Sequence, residues 1–257
     1  MRHAAILSAA FLLCPQRTFA ADAEETVKNY LKSIKGENAR IAVIKNDTIA
    51  KVFPKHGFVA VVYPQFPIAR LAPEPLNAGN VIAVPAEGKV MPLTDVKQLE
   101  KFFIDNAPRA DAKIGDGVLH AWLRLSQELA QDGFYKFAEP KGGAGAASSD
   151  GKMQLSATVS VDPAGGNKGD IAATIHFDKG TVVKIEHKVN LSPGPRPRCQ
   201  ATKLLDADPI VRQMAEDSIR VMGRACKYYL DEQRAKAAPE LQRAMDRIWQ
   251  RILDEDR

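Results

Sequence analysis

His120 and Arg124 stand four residues apart on one face of a stretch that reads as helix, and Asp116 precedes them, so an imidazole and a guanidinium share a face that follows directly on an acid. A carboxylate beside an imidazole suits general-base chemistry, and Glu139 beyond the helix offers a second carboxylate. These types admit a hydrolase whose site is assembled from distant positions. The same spacing is also that of a solvated polar helix face. The other histidines give less. His176 falls on the polar side of a hairpin near Lys184 and Glu186, and His187 lies in line with an apolar strand face near a sheet end. No two of His56, His120, His176 and His187 share a helix at i, i+4, so no metal site is expected. There is no Gly-x-Ser-x-Gly elbow, no His-Glu-x-x-His helix and no Cys-x-x-Cys. Gly142-Gly143-Ala144-Gly145 lacks the Lys-Ser/Thr that a phosphate loop requires, and reads as a linker. The sequence therefore assigns no catalytic residue, no metal ligand and no cofactor.

Where the chain resides is more legible. Arg2 and His3 form a positive head, residues 4–14 an apolar run, and Thr18-Phe19-Ala20 places small residues before a cut between Ala20 and Ala21. That is the plan of a secretory signal peptide, and its apolar run is too short for a permanent span. Export to the periplasm or the medium is expected. Leu13 before Cys14 is not the small residue that lipidation needs. Cys199 and Cys226 would remain in the mature chain, where a disulfide can persist, and a bridge would stabilise the C-terminal part by about 3 kcal/mol. Two buried, unpaired thiols are the alternative.

The formal charge of the full chain is +5. Loss of Arg2 and Arg17 with the leader lowers it to about +3. The excess is scattered: residues 201–257 hold eleven basic and eleven acidic side chains. A nucleic-acid binder concentrates its basic residues, so none is expected as partner. No apolar run after the leader reaches eighteen residues, so no spanning helix is expected either.

The positioning elements follow from periodicity. Val27, Tyr30, Leu31 and Ile34 predict a helix over 23–34. The unbroken apolar run 58–63 predicts a strand buried on both faces, and prolines 64, 67, 73 and 75 leave at most a short edge strand over 66–71. The aromatic and proline-rich tract 63–75 suits contact with a peptide or glycan, or irregular packing over the sheet. Residues 81–84 and 89–93 read as a hairpin, and Asp95 with Gln98 as a capping box. The helix over 117–131 carries two adjacent apolar rows, with His120, Arg124, Gln127 and Gln131 opposite and Gly133 to stop it.

Strands are expected at 134–138 and 155–161 on either side of a flexible loop, 141–152. Two more, 171–177 and 181–191, are expected around a three-residue turn, Asp178-Lys179-Gly180, that pairs His176 with Val182 and gathers Ile171, Ala173, Ile175, Val183, Ile185 and Val189 on one inward face. One helix followed by a four-stranded antiparallel meander resembles cystatin-like and NTF2-like topologies, which serve many functions. The fold class is α+β. Its units are 1–20 as signal peptide, 21–110 as an N-terminal α+β region, 111–192 as helix plus meander, 193–200 as a proline-rich spacer and 201–257 as helices.

In the last unit Asp208-Pro209-Ile210-Val211-Arg212 opens a helix, Ala215, Ile219 and Met222 continue its apolar side, and Gly223 closes it. Pro239 opens a second helix with Leu241, Met245, Ile248, Trp249 and Ile252 inward. This pattern resembles a single HEAT-repeat helical hairpin, and the whole chain resembles uncharacterised exported bacterial proteins. The HEAT resemblance implies core packing for Val211 and Ala215 and local hydrogen bonding for Arg212. A lone hairpin must dock on the α+β body, with Trp249 and Met222 as anchors. The functional expectation is an exported, non-enzymatic protein that binds a protein or envelope component or has a structural role. The alternative is an extracytoplasmic hydrolase around Asp116, His120 and Glu139.

Overall fold

Two four-stranded antiparallel sheets enclose one central helix in an α+β fold. The computed structural model describes residues 16–143, 151–163 and 166–255. Sheet one has the order β1 (Arg40–Val43), β2 (His56–Val62), β3 (Gly79–Pro85), β4 (Met91–Leu93); sheet two has β5 (Lys141–Gly142), β6 (Lys152–Ser160), β7 (Lys168–Asp178), β8 (Thr181–Ser192). The helices are α1 (Gln16–Ser33), α2 (Asp47–Val52), α3 (Val96–Asn106), α4 (Ala112–Leu129), α5 (Pro209–Arg220), α6 (Lys227–Arg234) and α7 (Pro239–Glu255).

Sheet one is buried on both faces, which is why the apolar run at β2 shows no alternation. Val59, Val61, Tyr63, Ile82 and Val84 pack under α1, while Phe58, Val81 and Ala83 join the core around α4. Helix α4 packs against β3 on one side and against β6 and β7 on the other. Its two apolar rows serve two sheets. A Cβ on Gly115 would lie 2.8 Å from Leu155 and Met153, so the missing side chain lets α4 approach sheet two closely. Of the four polar residues expected outside, Gln127 is buried and accepts a hydrogen bond from Arg124 at 2.9 Å.

Several expectations are corrected. Helix α1 starts at Gln16, and β1 and α2 fill a stretch the sequence left without structure. Residues 66–71 form no strand. The 134–138 strand reduces to a bridge between Phe137 and Val161, and β5 takes its place at Lys141–Gly142, inside the expected loop, while residues 144–150 of that loop lie outside the described residues. Asp95 caps α3 through Gln98 N–H, but the Gln98 side chain accepts from Thr94 N–H, one residue before the cap.

The β7–β8 register also differs. Asp178 pairs with Thr181, so the turn has two residues, Lys179 (φ 48°) and Gly180 (φ 79°), and a bulge shifts the ladder between His176 and Phe177. Positive φ at both turn residues matches the twist of the flanking strands. The bulge re-aims the side chains: Val182 and Ile185 are buried, whereas Val183 and Val189, expected inward, are exposed.

The C-terminal unit contains a third helix, α6, between the two expected ones. Asp208 caps α5 with Pro209 at its start, as expected, and Gly223 (φ 54°) follows its end. Ala215, Ile219, Met222, Ala244, Met245, Ile248 and Ile252 form a separate core, joined from the body by Phe134. The expected anchors do other work. Met222 is inside this core, and Trp249 is half-buried with the Lys227 ammonium 5.4 Å from its ring centroid. Contact with the body runs through Tyr229, Glu232 and Arg196. Nor is 193–200 a free spacer: Arg196 bonds Asp132 (2.6 Å) and Asn167 (2.9 Å) and lies against the Phe134 and Tyr135 rings.

Candidate functional site

The polar strip of α4 does bring Asp116 and His120 together. His120 Nδ1 lies 2.9 Å from the Asp116 carbonyl oxygen and 3.2 Å from its Oδ2. Both neighbours accept, so Nδ1 is the donor in this contact. Gly143 sits over this pair, where any side chain would run into the Asp116 carboxylate. Arg124 is turned away from His120 toward Gln127 and Glu128, the latter at 2.8 Å. Burial pushes the Glu128 carboxyl up, and Arg124 draws it partly back. Glu139 is exposed, and among the described residues no hydrogen bond or ion pair joins it to Asp116 or His120. Among the described residues no hydroxyl or thiol is hydrogen-bonded to His120, and no cluster of three metal-ligating side chains occurs.

Cys199 and Cys226 are separate thiols, not a disulfide. Cys199 is held beside α5 by its N–H to Ser218 Oγ (3.2 Å), and Cys226 fills the C-terminal core. Burial pushes the Cys226 thiol up to about 12, which keeps it a protonated, apolar filler. His176 stands on the outer face of sheet two, 3.3 Å from Glu186, and His187 packs edge-on against Trp122 at 5.6 Å. Burial lowers the pKa of His187 and of His56, the latter set among Phe53, Phe58 and Phe102.

A second place was only half legible. The tract 63–75 folds into a closed loop: Arg70 N–H reaches Pro64 O at 2.8 Å, Gln65 Nε2 reaches Tyr63 O at 2.8 Å, and the Arg70 guanidinium donates to Asn38 O at 2.6 Å. The loop faces α6 across the start of β1, and between them lies a groove of about 520 Å³. Phe66 and Ile68 line it although 39% and 61% exposed. Phe66 meets Phe134, which in turn meets Tyr229, so an aromatic row runs from the loop to α6. Glu232 on α6 holds Arg40 of β1 at 2.5 Å and Lys236 at 3.5 Å, closing the far wall.

The prolines and aromatics of the loop were a readable signal. Arg40 and Glu232, 192 residues apart, carried none that a single sequence exposes. No protein-family model, no curated protein and no solved structure matches this chain. No helix among the described residues is long and apolar enough to cross a membrane.

Proposed function

We propose that this is an exported, non-enzymatic protein that binds a partner in the cell envelope through the groove between the 63–75 loop, β1 and α6. The observation that carries this reading is that Phe66 and Ile68 stay exposed on a loop whose backbone is tied down at both ends. Exposed apolar side chains on a fixed frame offer contact area at small ordering cost, as binding surfaces require. The leader pattern of residues 1–20 supports export, and the HEAT-like pattern of α5 and α7 accords with a binding rather than a catalytic role.

Two experiments test this reading. Protein recovered from the native host should begin at Ala21 without an acyl chain; an intact Met1 overturns export. A photo-crosslinking amino acid at Ile68 should capture a discrete envelope protein that the same group at Lys188, on the outer face of sheet two, does not. Equal capture from both positions overturns the groove as the partner site.

A second reading, a hydrolase, draws on the contact between Asp116 and His120. It requires that His120→Gln abolish an activity that the unaltered protein shows. Its weakness is chemical, since among the described residues no nucleophile is hydrogen-bonded to His120.

A further inference from the structure

The four sheet edges are not treated alike. Strand β4 has three residues including Pro92, which lacks an N–H, and β5 has only two residues. Along β8 lies α3, whose Glu100 accepts the Ile185 N–H at 3.1 Å. Among the described residues that leaves β1, and its outer edge can be read from the ladder. Ile44 N–H bonds Phe58 O, and β1 pairs with β2 in the register Val43↔Val59, Ile41↔Val61. Alternation along an antiparallel pair then turns the N–H and C=O of Ala42 toward β2 and those of Ile41 and Val43 outward. Among the described residues these outward groups have no backbone partner, and Ile41 lines the groove.

We infer that the edge of β1 accepts a short extended segment of a partner protein as a fifth strand, and that this segment alternates acidic with apolar side chains. The inference rests on the groove being the partner site and adds the binding mode. Backbone groups of Ile41 and Val43 supply the ladder bonds, as in β-strand addition. Successive side chains of an added strand point to opposite faces, so one set meets a different wall from the other. Phe66 and Ile68 provide apolar contact. The charged lining consists of Arg40, Arg70 and Lys236 against one acid, Glu232, which Arg40 and Lys236 already share, while Arg70 meets a neutral carbonyl. The surplus is cationic and selects an acidic occupant.

The probe is a capped octapeptide of alternating Glu and Val, with a Lys/Val octapeptide as control, followed by amide hydrogen exchange on the full mature chain. In the free protein the Ile41 and Val43 amides should exchange quickly and the Ala42 and Ile44 amides slowly. Saturation with the Glu/Val peptide should slow Ile41 and Val43 several-fold, and the Lys/Val peptide should leave them unchanged. Ile41→Pro, which removes an N–H that the fold does not use, should weaken binding at least several-fold; Arg70→Gln, which leaves the strand intact, should weaken it too. Binding without slowing at Ile41 and Val43 overturns strand addition, while the Ile68 crosslink would still stand. Failure to bind, or equal binding of the Lys/Val peptide, overturns the acidic extended segment. Protection of those two amides in the free protein that rises with its concentration assigns the edge to a second copy and overturns a foreign partner.

Discussion

Strands β1 and β8 are both edge strands in the same molecule, and one is sealed while the other is open. Against β8 lies α3, with Phe103 fully buried between Phe53 at 5.0 Å and Trp122 at 5.1 Å. Its Glu100 reaches the strand and satisfies an outward N–H. Among the described residues no element covers the β1 edge, and α6, across the groove, is joined to β1 by the Arg40–Glu232 ion pair at 2.5 Å. An uncovered edge is a template for pairing, and proteins normally blunt it. The difference separates a part built for stability from a part left available for contact.

The comparison can be broken most severely on the sealed side. Phe103→Ala should destabilise the protein by about 4 kcal/mol in denaturant unfolding, because it empties the site on which α3 seats. A loss below about 1 kcal/mol would mean that α3 is not fastened there. On the open side Ala42→Pro should cost about 3 kcal/mol, since it deletes a ladder bond to β2. The β7–β8 turn comes next. Gly180→Val should cost about 2 kcal/mol, because φ is 79° and a Cβ would lie 2.9 Å from Ala110 O. Glu100→Ala should cost about 1 kcal/mol and expose the Ile185 amide to exchange, turning the sealed edge into an open one.

Acidity sharpens the same contrast. Burial lowers the pKa of His187, on β8, from its ordinary 6.5, so below about that pH the unfolded chain binds the proton that the folded chain refuses. Stability should therefore fall as pH drops below about 6.5. His56 works in the same direction and Glu128, whose carboxyl is pushed up, in the opposite one. His187→Leu should flatten the profile by its own share, and unchanged slopes would show that the imidazole is not held in a dry site. The smallest effect is expected from Ile41→Pro, below about 1 kcal/mol, since the amide it removes faces outward. A cost equal to that of Ala42→Pro would mean that the β1 edge is already paired.

Periodicity and capping residues were enough to predict α4, α5, α7, the β2 and β3 strands and the alternation of β6 and β7, because those signals depend on neighbours within a few positions. They also marked the 63–75 tract as irregular and proline-punctuated and placed His120 on a helix face, but they began that helix at 117, after Asp116, whereas it begins at Ala112 and includes it. What they missed has one physical cause, which is that the deciding partner is far away in sequence. Two apolar rows on α4 do not say that two sheets flank it. Strict alternation along the hairpin puts Val183 and Val189 in the core and demands a three-residue turn. The bulge that turns Val183 outward instead allows a tight turn and keeps Val182 and Ile185 inside. Cys199 and Cys226 have disulfide-compatible spacing, yet each ends as a separate thiol at the C-terminal core. Sequence spacing determined the elements and the chemistry each face carries. Which edge stays open, and that Arg40 meets Glu232 to wall a groove beside it, was decided only by tertiary packing, since burial and hydrogen-bond pairing are settled between segments that the chain separates by many residues.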